Sequence, residues 1–169
     1  IERLCDNLSN MYDDEKELIW DNYLDEVKKH VDLDNPIVLF DDSDINKEYS
    51  RKLEDLDRVI DASSQDKKVT KGYHVCEATI LTEKENQLIS VYSQIYSCKS
   101  KDFKSMNDYT FKSIEAAKKV LNRKFIGVFD RGYDDNKIID YMDDNYFIIR
   151  MNDRRNFLFK GKKKNAYEE

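Results

Sequence analysis

Two apolar runs that each end in a carboxylate constrain this chain more than any other feature. Ile37-Val38-Leu39-Phe40 leads directly into Asp41 and Asp42, and Phe125-Ile126-Gly127-Val128-Phe129 leads into Asp130. Unbroken runs of this length, rich in Ile and Val, predict strands buried on both faces. In α/β sheets, sites form beyond the carboxyl ends of strands. Neighbouring strands lie about 4.8 Å apart, and carboxylates at that spacing repel unless a cation lies between them. The pattern predicts Asp42 and Asp130 side by side around a divalent metal. Asp41 is the second choice for the first ligand, because strand alternation sends only one of two neighbours toward a site.

The 169 residues make one domain, with an appendage at most. The charged fraction of 38% is interspersed rather than blocked, and 40% of residues are hydrophobic, which excludes global disorder. The net charge of −6 argues against a general DNA-binding surface, but its distribution is uneven. Residues 1–36 hold eleven acids and four bases, while residues 145–169 hold seven bases and three acids. A nucleic-acid contact is expected at the C-terminal end. Cys5, Cys76 and Cys98 have no metal-type spacing and read as structural thiols of a reducing cytoplasm. No apolar run is long enough to span a membrane. The chain opens at Ile1 rather than Met and reads as a piece of something longer.

In chain order, Ile1, Leu4, Leu8 and Met11 have helical spacing, and so do Trp20, Leu24, Val27 and Val31, with Asp13 or Asp14 as the cap of the second helix. These helices form an N-terminal segment, 1–34. After the first core strand, residues 43–70 are read as irregular, with a short helix over 47–56. Gly72–Leu81 and Leu88–Tyr96 predict an antiparallel hairpin turning at 84–86. His74, alone on its strand, is expected to be structural. The spacing of Ile114, Ala117, Val120 and Leu121 predicts a helix over 110–122 after a polar loop, 97–109. A fourth strand, 125–130, a helix capped by Asp134, Asp135 or Asn136, and a fifth strand, 146–151, follow, with 157–159 pairing back onto it. The fold class is α/β: three antiparallel strands, then strands joined through helices and parallel to the first.

This order is that of the ribonuclease-H-like mixed sheet. Three stretches resemble the DDE transposases of bacterial insertion sequences, in the cut-and-paste group: Val38-Leu-Phe-Asp-Asp-Ser-Asp-Ile45, Lys71-Gly-Tyr-His-Val-Cys-Glu-Ala78 leading to Leu81-Thr-Glu-Lys84, and Gly127-Val-Phe-Asp-Arg-Gly-Tyr-Asp134. The resemblance covers about residues 35–160, within a partial catalytic domain, 35–169. It implies a cytoplasmic bacterial enzyme of DNA recombination, a transposase that cleaves phosphodiesters and transfers strands at insertion-sequence ends. Asp42 and Asp130 are its implied catalytic and metal-binding residues, and two Mg²⁺ or Mn²⁺ ions its cofactor. DNA, both element ends and target, is the implied partner, with a homodimer for the complete protein and no membrane.

Arg131 orients Asp130, touches a phosphate or makes a structural salt bridge. Arg154, Arg155, Lys160, Lys162, Lys163 and Lys164 are candidate DNA contacts. Asp44 and Asp134 are expected in turns or caps. The third acid of the family, a Glu on a later helix, has no match in this chain, and Glu168 and Glu169 do not fit the pattern. The resemblance thus implies an inactive or weakly active fragment. The alternative is a catalytically dead remnant that only binds DNA or protein.

Overall fold

The computed structural model describes residues 7, 9–31, 34, 36–61, 66–82 and 87–165. The first predicted helix, the turn at 84–86, Cys5, Glu168 and Glu169 lie largely or wholly outside them. The first described helix is α1, Asp13–His30. Tyr12, not Asp13 or Asp14, is its N-cap, and both acids sit in the first turn, where the positive end of the helix dipole favours them. Leu24 and Val27 are buried, while Trp20 from the same expected stripe is 38% exposed.

The sheet begins with β1, Ile37–Asn46. It is followed by β2, Asp57–Ile60, β3, Val69–Leu81, and β4, Leu88–Tyr96. Helix α2, Met106–Leu121, leads to β5, Ile126–Phe129. A short 3₁₀ turn at Arg131–Tyr133 and helix α3, Asn136–Met142, lead to β6, Tyr146–Ile149. Across the sheet the order is β4, β3, β1, β5, β6, with β2 beside the N-terminal part of β3. β3 is antiparallel to β1 and β4; β5 is parallel to β1, and β6 to β5. This mixed sheet, with a meander followed by parallel strands joined through helices, is compatible with the ribonuclease-H-like fold.

Alternation divides the sheet into two unlike faces. Val38 and Phe40 of β1, Ala78 and Ile80 of β3, and Phe129 of β5 join one core cluster with residues of all three helices. Phe40 and Phe129 stack with centroids 4.6 Å apart and tie β1 to β5. On the other face Ile37, Leu39, Ile126 and Val128 are only half-buried, and Tyr146 and Ile148 of β6 are 64% and 62% exposed.

Four local expectations change. β1 runs on to Asn46 because its ladder with β3 continues to the pair Asn46 and Gly72. Asp44, expected in a turn, braces this extension: its carboxylate accepts from Ile60 N–H at 2.9 Å and lies 2.8 Å from His74 Nδ1. The helix expected over 47–56 is replaced by turns that lead into β2. α2 starts at Met106 rather than Thr110, because Ser105 Oγ accepts the N–H of Asp108 as N-cap.

At the C-terminal end, 157–159 do not return to β6. They lie in β7, Asn156–Phe159, which pairs with β8, Lys162–Asn165, as a separate hairpin. Its two-residue turn, Lys160-Gly161, has φ 51° and 74°, the positive values that tight hairpins require. Asp135 caps α3 as expected, accepting from Lys137 N–H. No described helix is long and apolar enough to cross a membrane.

Candidate functional site

The parallel pairing of β1 with β5 sets the register Ile37 to Ile126 through Phe40 to Phe129. One step further, Asp41 falls opposite Asp130. On its other side Asp41 is paired with Glu77 of β3. Asp41 and Glu77 thus lie on adjacent strands of the half-covered face, and Asp130 stands just past the end of β5 beside them. The electrostatics follow this placement: desolvation first, then Asp130 and Glu77, push the Asp41 carboxyl above its ordinary value. Ser93 Oγ donates to Glu77 Oε1 at 3.0 Å, which steadies that end of the row.

Asp42 points the other way, in line with Val38 and Phe40 and opposite Cys76. Its Oδ1 is buried without a hydrogen-bond partner, as is the Tyr133 hydroxyl. Burial pushes the Asp42 carboxyl up, and the nearby Cys76 thiol and Tyr133 hydroxyl pull it back only in part. The Cys76 thiol, buried and beside Asp42, is pushed up to about 12. Asp42 and Asp130 both line a cavity of 220 Å³ that also touches Asn107, Thr110, Tyr133 and Ile138. Asp130 is the better ordered of the two, since its Oδ1 accepts the N–H of Gly132 at 2.7 Å as cap of the 3₁₀ turn.

Asp42 and Asp130 therefore share a rim, but the pair in direct register is Asp41 and Asp130. Hard divalent ions need exposed carboxylate oxygens and room for several waters. The exposed Asp41 and Asp130 fit that donor chemistry, whereas the enclosed Oδ1 of Asp42 is a less open ligand. Glu77 was not singled out from the sequence. The hairpin of β3 with β4 was legible, but Glu77 meets Asp41 through the register of β3 on β1, which no local turn sets.

The expected DNA contacts separate into two groups. Arg155 is committed to the fold: Nη1 lies 2.5 Å from Asp134 Oδ1, and Nη2 bonds Asn136 Oδ1. Asp134 also accepts from Asn152 N–H at 2.7 Å, so it ties the segment after β6 to the 3₁₀ turn. Arg131 pairs with Asp153 at 2.8 Å rather than with Asp130. Arg154, Lys160, Lys162 and Lys163 are exposed on or beside the β7–β8 hairpin, and Lys164 is half-buried.

Neither the family models nor the curated proteins contain a match. Among solved structures, the chain is similar to the Drosophila P element transposase strand transfer complex, with 12% identity and a TM-score of 0.37. The match covers 85% of this chain and 39% of that chain, so this chain spans well under half of that protein's length. Likeness at this level assigns no residue a role.

Proposed function

We propose that this chain is part of the catalytic domain of a bacterial, cytoplasmic DNA transposase that cleaves phosphodiesters and transfers strands at insertion-sequence ends. One observation carries the reading: β1 and β5 run parallel and adjacent, so the ends of two motif blocks remote in sequence share one rim. We assign Asp130 and the Asp41–Asp42 pair to metal binding, with Asp41 ahead of Asp42 because it is exposed and in register with Asp130. Mg²⁺ or Mn²⁺, when bound there, would supply an activated water and a stabilised leaving oxygen.

The chain's own residues have distinct roles in this reading. Gly132 N–H holds Asp130 in place. Glu77 adds negative charge beside Asp41 and favours a cation there. Arg154, Lys160, Lys162 and Lys163 supply positive charge for DNA phosphates, a contact weakened by salt. A homodimer belongs to the complete protein.

A second reading is a DNA- or protein-binding module without catalysis. It is favoured by one observation: Arg154, Lys160, Lys162 and Lys163 are exposed on or beside the β7–β8 hairpin. Plasmid nicking in Mn²⁺, read together with fluorescence anisotropy on a labelled duplex, separates the two. Weak nicking lost in Asp130→Asn supports the enzyme. Salt-sensitive binding without nicking supports the module. Neither binding nor nicking overturns both as DNA functions.

A further inference from the structure

A second group of metal-ligand side chains lies where β1 runs on past Asp41 and Asp42, around Asp44 and its partner His74. Asp57 opens β2, His74 stands on β3, and Cys98 follows β4. One carboxylate oxygen, one imidazole nitrogen and the thiol sulfur all lie within 4.8 Å of one another. We propose that Asp57, His74 and Cys98 form a zinc-binding site, with Asp44 as the residue that orients the histidine.

The arrangement of His74 carries the proposal. Its Nδ1 lies 2.8 Å from Asp44 Oδ1. That contact makes Nδ1 the donor to the carboxylate, so in the neutral imidazole the lone pair is on Nε2. Nε2 faces Asp57 Oδ2 at 3.8 Å, beyond hydrogen-bond reach. Asp44 and Asp57 thus flank the ring on its two nitrogens, and the Cys98 thiol completes the group. Here the second nitrogen is aimed at a carboxylate and a thiol. Metal-bound histidines characteristically give their other N–H to a carboxylate, as His74 does to Asp44. The Tyr96 ring, 5.3 Å from the imidazole, packs beside it.

The other two ligands are also held. Asp57 Oδ2 accepts the N–H of Cys98 at 2.9 Å, and Asp57 Oδ1 accepts that of Arg58 at 2.7 Å. The loop before Asp57 is tied to the same segment, since Ser97 Oγ donates to the Asp55 carbonyl at 2.5 Å. Cys98 and Asp57 are therefore fixed relative to one another before any ion arrives. A tetrahedral zinc, with bonds of about 2.0 Å to nitrogen and oxygen and about 2.3 Å to sulfur, needs ligand atoms about 3.3–3.8 Å apart. The group must close by up to roughly 1 Å, through rotation of the exposed Cys98 side chain and a small approach of His74 Nε2 to Asp57 Oδ2, now 3.8 Å apart.

One nitrogen, one sulfur and one oxygen suit zinc or cobalt rather than magnesium, which prefers oxygen alone. The site is thus chemically distinct from the carboxylate rim. Partial desolvation, then the Asp57 carboxylate, hold the Cys98 thiol above its ordinary value, so metal binding displaces a proton from it. With three protein ligands, water completes the tetrahedron. The ion would clamp β2, β3 and the segment after β4 together.

Cobalt alone is the probe, added to the full chain. The expected result is one Co²⁺ per chain with a thiolate-to-cobalt charge-transfer band, displaced by Zn²⁺. The band is expected to persist in Cys5→Ser/Cys76→Ser and in Asp130→Asn, and to vanish in Cys98→Ser. His74→Gln is expected to weaken Co²⁺ binding more than tenfold, and Asp44→Asn by roughly tenfold. Circular dichroism checks that each variant is folded. Should Cys98→Ser fail to fold, iodoacetamide labelling of the parent replaces it, with Zn²⁺ expected to slow alkylation of Cys98 and not of Cys76. Absence of the band in the parent, its survival in a folded Cys98→Ser, or Zn²⁺-insensitive labelling of Cys98 overturns the site.

Discussion

The two faces of one sheet are built from the same strands and differ in almost everything else. On the face carrying Val38, Phe40 and Ile80, residues of α1, α2 and α3 complete a buried apolar core. On the face carrying Leu39, Asp41 and Glu77, side chains of comparable polarity to their neighbours remain half-open, and β6 presents Tyr146 and Ile148 to solvent. Where β1 leaves the core, the faces divide two consecutive aspartates between them. Asp42 enters the covered side, where its Oδ1 is buried without a hydrogen-bond partner. Asp41 stays on the open side, where it meets two other carboxylates. The contrast teaches that a run of two acids is one site and one burden, and that only register tells them apart.

Stability measurements should expose the contrast most strongly. Phe40→Ala removes a buried ring stacked on Phe129 and is expected to cost about 3–5 kcal/mol in urea unfolding. Leu39→Ala, one residue away on the half-open face, should cost under about 2 kcal/mol. Equal costs would erase the distinction between the faces.

Gly72 sharpens it further. A Cβ there would strike the Ile45 carbonyl oxygen and come 2.6 Å from Val59 Cγ2. Gly72→Ala is expected to destabilise by about 1–3 kcal/mol, because three strands converge at that point.

A smaller effect, of opposite sign, belongs to Asp42. Its carboxyl is raised in the folded state, so its contribution to stability is complete below the unfolded value and lost as pH rises through the folded one. Asp42→Asn should therefore stabilise the metal-free protein at neutral pH by roughly 1 kcal/mol, and flatten the pH dependence of unfolding above pH 4. A destabilised Asp42→Asn at pH 7 would mean that the buried carboxylate is satisfied. Smallest of all, Ile148→Lys on the open face should change stability by less than about 0.5 kcal/mol.

Much of this was legible in the sequence. The apolar runs before Asp41 and before Asp130 announced two strands, and the helix between them required a parallel crossover. The periodicity of Ile114, Ala117, Val120 and Leu121 located α2, though its Ser105 cap, nine residues before the first of them, was passed over as loop. The extension of β1 to Asn46 was hidden because Asp42, Ser43 and Asp44 have poor strand propensity. Partners on β2 and β3, not propensity, hold Asp44 in line. The sequence ranked Asp42 ahead of Asp41, and the proposal reverses that order on the pairing of β1 with β5, which is a property of packing. The same holds for His74, read as structural on its strand: Asp57 and Cys98 approach it only once β2 and the end of β4 are placed.

The most direct test of the account is a Mn²⁺ titration followed by electron paramagnetic resonance, on the parent and on Asp41→Asn, Asp42→Asn and Asp130→Asn. The account predicts that Asp41→Asn and Asp130→Asn each weaken Mn²⁺ binding by at least about tenfold, while Asp42→Asn leaves it within a factor of about three. Binding lost in Asp42→Asn and kept in Asp41→Asn would contradict the assignment, and binding unchanged in all three would remove the metal from this rim.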